Sequence, residues 1–159
     1  MPCPPDTRAV KGVQFDLDNK TLNDIATSIF GVYPELRRLV HEAFDRQEIK
    51  LTRTQQIILM TMANAGVLSM SELATRINTS NEQATRAVSQ LISLGFMERF
   101  QNERNHRIVN IALTNDADEY LNKVRETATY LLAHPVIESD DERCQKYARD
   151  LESLRSYFK

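Results

Sequence analysis

The chain has 159 residues, 42% of them hydrophobic and 26% charged, with a formal net charge of −2. That length can bury one good core and is short for two independent domains. So even a charge balance lacks the broad basic surface that most nucleic-acid binders carry, no apolar run approaches the roughly 20 residues that cross a bilayer, and two distant cysteines, Cys3 and Cys144, make neither a disulfide framework nor a zinc pattern.

The opening "MPCPP" does not lead from a basic region into an apolar run, so the expectation is a soluble, cytoplasmic protein. The near-neutral average hides a gradient. Residues 1–50 carry 7 basic and 8 acidic side chains, 51–113 carry 6 and 4, and 114–159 carry 7 and 10, which gives −1, +2 and −3. Every basic residue of the positive middle is an arginine (Arg53, Arg76, Arg86, Arg99, Arg104 and Arg107). The planar fork of arginine suits phosphates and base edges.

Residues 1–18 hold three of the five prolines and little periodicity, and are expected to form a mobile arm. From Leu22 to Phe44 apolar residues recur at three- and four-residue steps, the pattern of a long amphipathic helix within 19–50. Gly31 and Pro34 predict a kink or a break in it. Four later helix starts carry the capping-box pairing of a hydroxyl residue with Gln or Glu three positions on: Thr52 with Gln55, Ser69 with Glu72, Ser80 with Gln83, and Ser139 with Glu142. A fifth, at Thr114, has Ala117 at the reciprocal position and is read as a plain cap, with Asp116, Asp118 and Glu119 favouring the positive end of the helix dipole. Gly66 and Gly95 mark helix ends that need a left-handed residue.

Three short helices thus lie between Thr52 and Gly95. After Gly95 the period changes: Phe96, Glu98 and Phe100 alternate in one run and Val109, Ile111 and Leu113 in another, joined by "QNERNH". That is a β-hairpin with a charged tip. Two closing helices follow within 114–159, with Pro135 between them.

Three compact helices and a hairpin make a winged helix-turn-helix, mainly α with a small β wing, in which the third helix enters the major groove of DNA. On that helix, Ala84, Ala87, Val88, Leu91 and Leu94 are expected inward. Asn81, Glu82, Thr85, Arg86, Ser89 and Gln90 are expected on the DNA side, with Arg104, His106 and Arg107 on the wing. A winged module that binds protein instead of DNA is the alternative. The helices outside 51–113 carry more apolar stripe than one small winged domain covers, which predicts a homodimer.

Other readings are weaker. His41 and Asp45 sit four apart in "HEAFD", similar to a zinc-binding HExxH with its second histidine lost, but two ligands do not make a site and no metal or cofactor is expected. Cys144 falls on an apolar stripe, where a small buried hydrophobe is the default over a redox sensor. No phosphate-cradling loop, nucleophile motif or acid-base pair supports an enzyme.

The stretches "LTRTQQIILMTM", "LSMSELATRI", "SNEQATRAVSQLISLGFMER" and "NHRIVNIALT" resemble the MarR family of bacterial transcriptional regulators. The resemblance covers Leu51 to Thr114 in detail and implies a cytoplasmic homodimer, its N- and C-terminal helices entwined, bound to a pseudo-palindromic double-stranded DNA operator. It further implies repression relieved by a small molecule or an oxidant. By the same analogy Phe30, Tyr33, Arg37 and His41 on the first helix are candidates to line a pocket for a small aromatic effector, the alternative being that they form dimer core. One position departs: the family's wing usually carries Asp-x-Arg, and here Asn105 precedes His106 and Arg107.

Overall fold

The computed structural model describes residues 19–101, 109–136 and 141–156. The chain divides into two compact units, Met1–Arg37 and Arg38–Lys159. Helix α1 is Asn19–Asp45, followed by α2 (Arg53–Ala65), β1 (Leu68–Ser69), α3 (Met70–Arg76), α4 (Asn81–Ser93), β2 (Met97–Gln101), β3 (Val109–Leu113), α5 (Asn115–Val136) and α6 (Asp141–Ser156).

Helix α1 is continuous through Pro34, so of the kink or break expected there the break does not occur. Proline removes one N–H and crowds the carbonyl four residues back. Here that carbonyl belongs to Phe30, whose residue is 79% exposed, so water is at hand to satisfy it. In the first unit Leu22, Ile25, Ile29, Phe30, Val32, Tyr33 and Leu36 all stand exposed.

The second unit holds the core. Phe44 at the end of α1, Ile58, Leu59 and Met62 of α2, Leu73 of α3, Val88 and Leu91 of α4, and Ile111 of β3 are all at most 1% exposed. The capping boxes at Thr52 and Ser69 form in full. Between Ser69 and Glu72 the bonds that the carboxylate accepts from the Ser69 backbone and hydroxyl hold its pKa below the usual value. The box at Ser80 forms only by half: Ser80 accepts from the Gln83 backbone, but the Gln83 side chain accepts from the Thr79 hydroxyl at 2.6 Å instead of reaching the cap. Thr114 caps α5 as expected, accepting from Ala117, and its hydroxyl also donates to the Gly95 carbonyl at 2.6 Å. Helix α5 ends at Val136, so Pro135 sits in its last turn. The cap at Ser139 lies outside the described residues.

The sheet has a third member that the sequence did not announce. Strand order is β1-β3-β2, all antiparallel, with Leu68 opposite Ile111 and Met97 opposite Leu113. In β2 it is Met97, not the Phe96–Glu98–Phe100 run, that supplies the buried strand residue; Phe96 is buried just before the strand and Phe100 is exposed.

Two helix ends close by the Schellman pattern, in which the second residue past the cap bonds back to the last turn. After α4, Phe96 N–H donates to the Leu91 carbonyl and Gly95 N–H to that of Ile92, with Gly95 at φ +79°. After α3, Thr79 donates to Ala74 and Asn78 to Thr75, with Asn78 at φ +51°. Asparagine therefore does here what glycine does after α4, and sets the turn into α4. A β-branched residue in that region is strained by roughly 1–2 kcal/mol, so Asn78→Val should lose about that much stability, and Asn78→Gly should stay within a few tenths. Paired urea unfolding curves measure both.

Tyr120 of α5 ties the core together. Its ring lies 4.8 Å from Phe96 and 6.1 Å from Phe44, centroid to centroid, and its hydroxyl donates to the Ile49 carbonyl at 3.0 Å. Burial, helped by the nearby Asp45 charge, pushes the phenol up from its ordinary 10.0 to about 12. The folded state therefore holds this proton where the unfolded chain has released it. The resulting stability is present in full below pH 10.0 and should be lost progressively as pH rises to about 12. Tyr120→Phe should remove that component of the alkaline slope, as read by chemical denaturation at stepped pH.

Candidate functional site

Helix α4 forms because its apolar residues fall on one stripe and both its ends are stopped. Ala84, Ala87, Val88 and Leu91 are buried, which leaves Asn81, Glu82, Thr85, Arg86 and Gln90 exposed and Ser89 half-buried on the outer side. Leu94, expected inward, is 43% exposed. It is the cap residue, at the edge of the stripe, and Phe96 takes the inward place two residues later.

The outer face is organised by side-chain bonds. Arg86 donates to Glu82 at 3.1 Å across one turn, so the one acid of this face orients an arginine. Both are highly exposed, and such a pair contributes only about 0–1 kcal/mol. Ser89 donates to the Thr85 carbonyl at 2.8 Å and accepts from Arg99 Nη2 at 2.9 Å. Gln90 accepts from Gln55 Nε2 of α2 at 2.9 Å.

Arg99 is the residue that sequence reasoning left off the site. It lies on β2 opposite Ile111 and reaches back to α4, adding a guanidinium beside Ser89. The period-two signal that would have placed it starts from Met97 as the inward residue, and the alternation of Phe96, Glu98 and Phe100 masked that register. The wing residues Arg104, His106 and Arg107, with Asn105, lie outside the described residues.

The predicted pocket residues fall in two places. Phe30, Tyr33 and Arg37 are exposed on the first unit. His41 belongs to the second, where its Nδ1 meets Gln56 Oε1 at 2.9 Å. Gln56 is fully buried; its Nε2 donates to the Leu51 carbonyl, and its oxygen also accepts from Arg53. Since the oxygen can only accept, His41 donates through Nδ1. Asp45 is gripped by both Arg53 nitrogens at 3.0 and 2.8 Å, and these bonds hold its carboxyl below the usual range. Among the described residues no cluster of three or more His, Cys, Asp or Glu could hold a metal ion, and no helix is long and apolar enough to cross a membrane. Cys144 is half-buried and free. An apolar cleft of about 260 Å³ opens in the second unit among Val40, Phe44, Met60, Leu121, Val124 and Ala128.

A tri-helical core, a polar third helix on an apolar seat and a sheet extending beside it define a winged helix-turn-helix protein. Residues 51–109 match the MarR family model, which covers less than half of the chain. The chain is 35% identical over 68 residues to the transcriptional regulator AdcR of Streptococcus pneumoniae, a match covering 43% of this chain and 46% of that regulator, so it spans less than half of that relative's length. In fold it is similar to a MarR family protein from Bacillus stearothermophilus (TM-score 0.69, 20% identity, 89% of this chain and 98% of that one). It is likewise similar to a mutant MarR from E. coli complexed with operator DNA (TM-score 0.56, 18% identity, 87% and 99%).

Proposed function

We propose that the chain is a sequence-specific transcriptional regulator that binds a pseudo-palindromic DNA operator as a homodimer and represses by occupying it. The observation that carries this reading is α4: a helix seated on a fully apolar base, its free side bearing Asn81, Thr85, Arg86 and Gln90, with Arg99 beside it. Those groups donate to and accept from base edges and phosphates, and Gln90 also accepts from the buried Gln55. The excess of two positive charges over 51–113 is small, so affinity leans on base contacts and on two half-sites read together.

A second copy is the partner that fits the remaining surface. In one unit α1 exposes Leu22, Ile25, Ile29 and Leu36, and in the other α6 exposes Tyr147, Leu151 and Leu154. Apolar stripes of that kind mark association surfaces, and a two-fold dimer sets its recognition helices about 34 Å apart on the duplex. A stable monomer in sedimentation at micromolar concentration counts against this architecture.

For the effector, a small anionic aromatic compound is the class proposed, with Phe30, Tyr33 and Arg37 of the first unit offering it rings and a cation. Release of bound operator by such compounds tests it, and failure across a broad panel removes the aromatic effector from the proposal. The regulator reading itself is tested by titrating random duplex DNA. Weak binding at low salt that falls steeply as salt rises is expected; a protein-binding adaptor leaves the duplex unbound at every salt concentration.

A further inference from the structure

We infer that Gln55 of α2 sets the base preference of Gln90 by fixing which end of its amide faces the DNA; this rests on the DNA-binding reading above. A glutamine side chain has an accepting end and a donating end of nearly the same shape, and only its partners decide which way it points. Here the decision starts from a group that cannot be turned round. The backbone N–H of Thr52 only donates, and it donates to Gln55 Oε1 at 2.8 Å as the reciprocal half of the α2 capping box. Gln55 is 5% exposed, so its other end must also find a partner in the protein. That end is Nε2, a donor, and it meets Gln90 at 2.9 Å. Gln90 must therefore give its oxygen to Gln55 and turn its NH₂ to the outside.

The consequence is chemical. A free glutamine reads adenine with both ends, oxygen to N6 and nitrogen to N7. With its oxygen committed to α2, Gln90 presents only donors. In the major groove the O6 of guanine and the O4 of thymine accept, whereas the N6 of adenine and the N4 of cytosine donate. N7 is common to both purines and discriminates neither. Gln90 thus favours a keto base over an amino base at the one position it reaches in each half-site. Gln55 touches no DNA in this account; it is a positioning residue, and the helix cap of α2 is the origin of the preference.

Gln55→Glu tests this because a carboxylate accepts at both ends. One oxygen still takes the Thr52 N–H, so the cap is kept, and the other now demands a donor from Gln90, whose amide must turn over and show its oxygen to the groove. Selection from a pool of random duplexes should give a site in which wild type prefers G or T at one position per half-site by about tenfold, and Gln55→Glu prefers A or C at the same position, the rest of the site unchanged. Gln90→Ala should erase the preference there in both backgrounds. Added negative charge lowers affinity on all sequences alike, so it cannot mimic a reversal at one position. Gln55→Met, which deletes both bonds at similar volume, should free Gln90 to read adenine with both ends, so that the preference moves from G or T to A alone, and this arm stands if the glutamate variant does not fold. Folded variants that keep the wild-type base at every position overturn the inference while leaving the regulator intact. A wild-type chain that selects no sequence overturns the regulator and this inference with it.

Discussion

Leu91→Ala should cost the protein about 2–5 kcal/mol of stability, and Leu94→Ala, three residues on, less than about 1. The two leucines are one residue type on one helix, and their sequence context placed both inward. In the fold Leu91 is 0% exposed, while Leu94 is the cap residue and 43% exposed. Deleting three carbons at Leu91 removes the transfer energy of those atoms and leaves a cavity beneath the recognition helix. Deleting them at Leu94 leaves mainly a smaller surface residue. Urea unfolding followed by circular dichroism gives both numbers, and equal losses would mean that α4 is not seated as described. DNA binding by Leu91→Ala should fall with the folded fraction, so the titration must be corrected for it.

That pair marks the boundary of what the sequence made legible. Features encoded within about four residues were read well: the capping boxes at Thr52 and Ser69, the positive φ of Gly95, and the stripe of Ala84, Ala87, Val88 and Leu91. A periodic stripe identifies its middle better than its ends, which is why Leu94 was misplaced. Local competition also escaped notice, since the Thr79 hydroxyl takes the Gln83 side chain that Ser80's cap called for. Strand β1 is two residues long and exists only because β3 offers it an edge, so no period could reveal it. The contacts that organise the outer face of α4 are long-range: Arg99 reaches Ser89 over 10 residues and Gln55 reaches Gln90 over 35. Composition identified the arginines, and pairing across the fold decided which of them stands beside the helix. Pro34 shows the converse, a strong local signal for a break that an exposed helix tolerates.

Arg86→Ala should weaken operator binding by about 1–3 kcal/mol per half-site and relax the preference at a single base position. With two half-sites in a dimer the loss should approach a factor of a hundred or more, the largest effect expected of any single change on the outer face. In the free protein Arg86 is held by Glu82 at 3.1 Å, but a pair this exposed is worth about 0–1 kcal/mol, less than a bidentate contact to a guanine edge. The arginine can therefore leave Glu82 for the base at small cost, and the acid serves to keep the side chain extended along the helix until DNA arrives. Glu82→Gln should then raise affinity on all sequences by removing a charge that faces phosphates, while leaving base preference as it was. Arg107, proposed for the wing, should behave differently: Arg107→Ala should weaken binding on most sequences and flatten the salt dependence by about one phosphate equivalent. Titrations of the folded variants against the operator and its single-base changes, at two salt concentrations, separate the roles. If Arg86→Ala reduced binding equally on every sequence and altered the salt slope, Arg86 would be a phosphate contact, and base reading on α4 would fall to Asn81, Thr85 and Gln90.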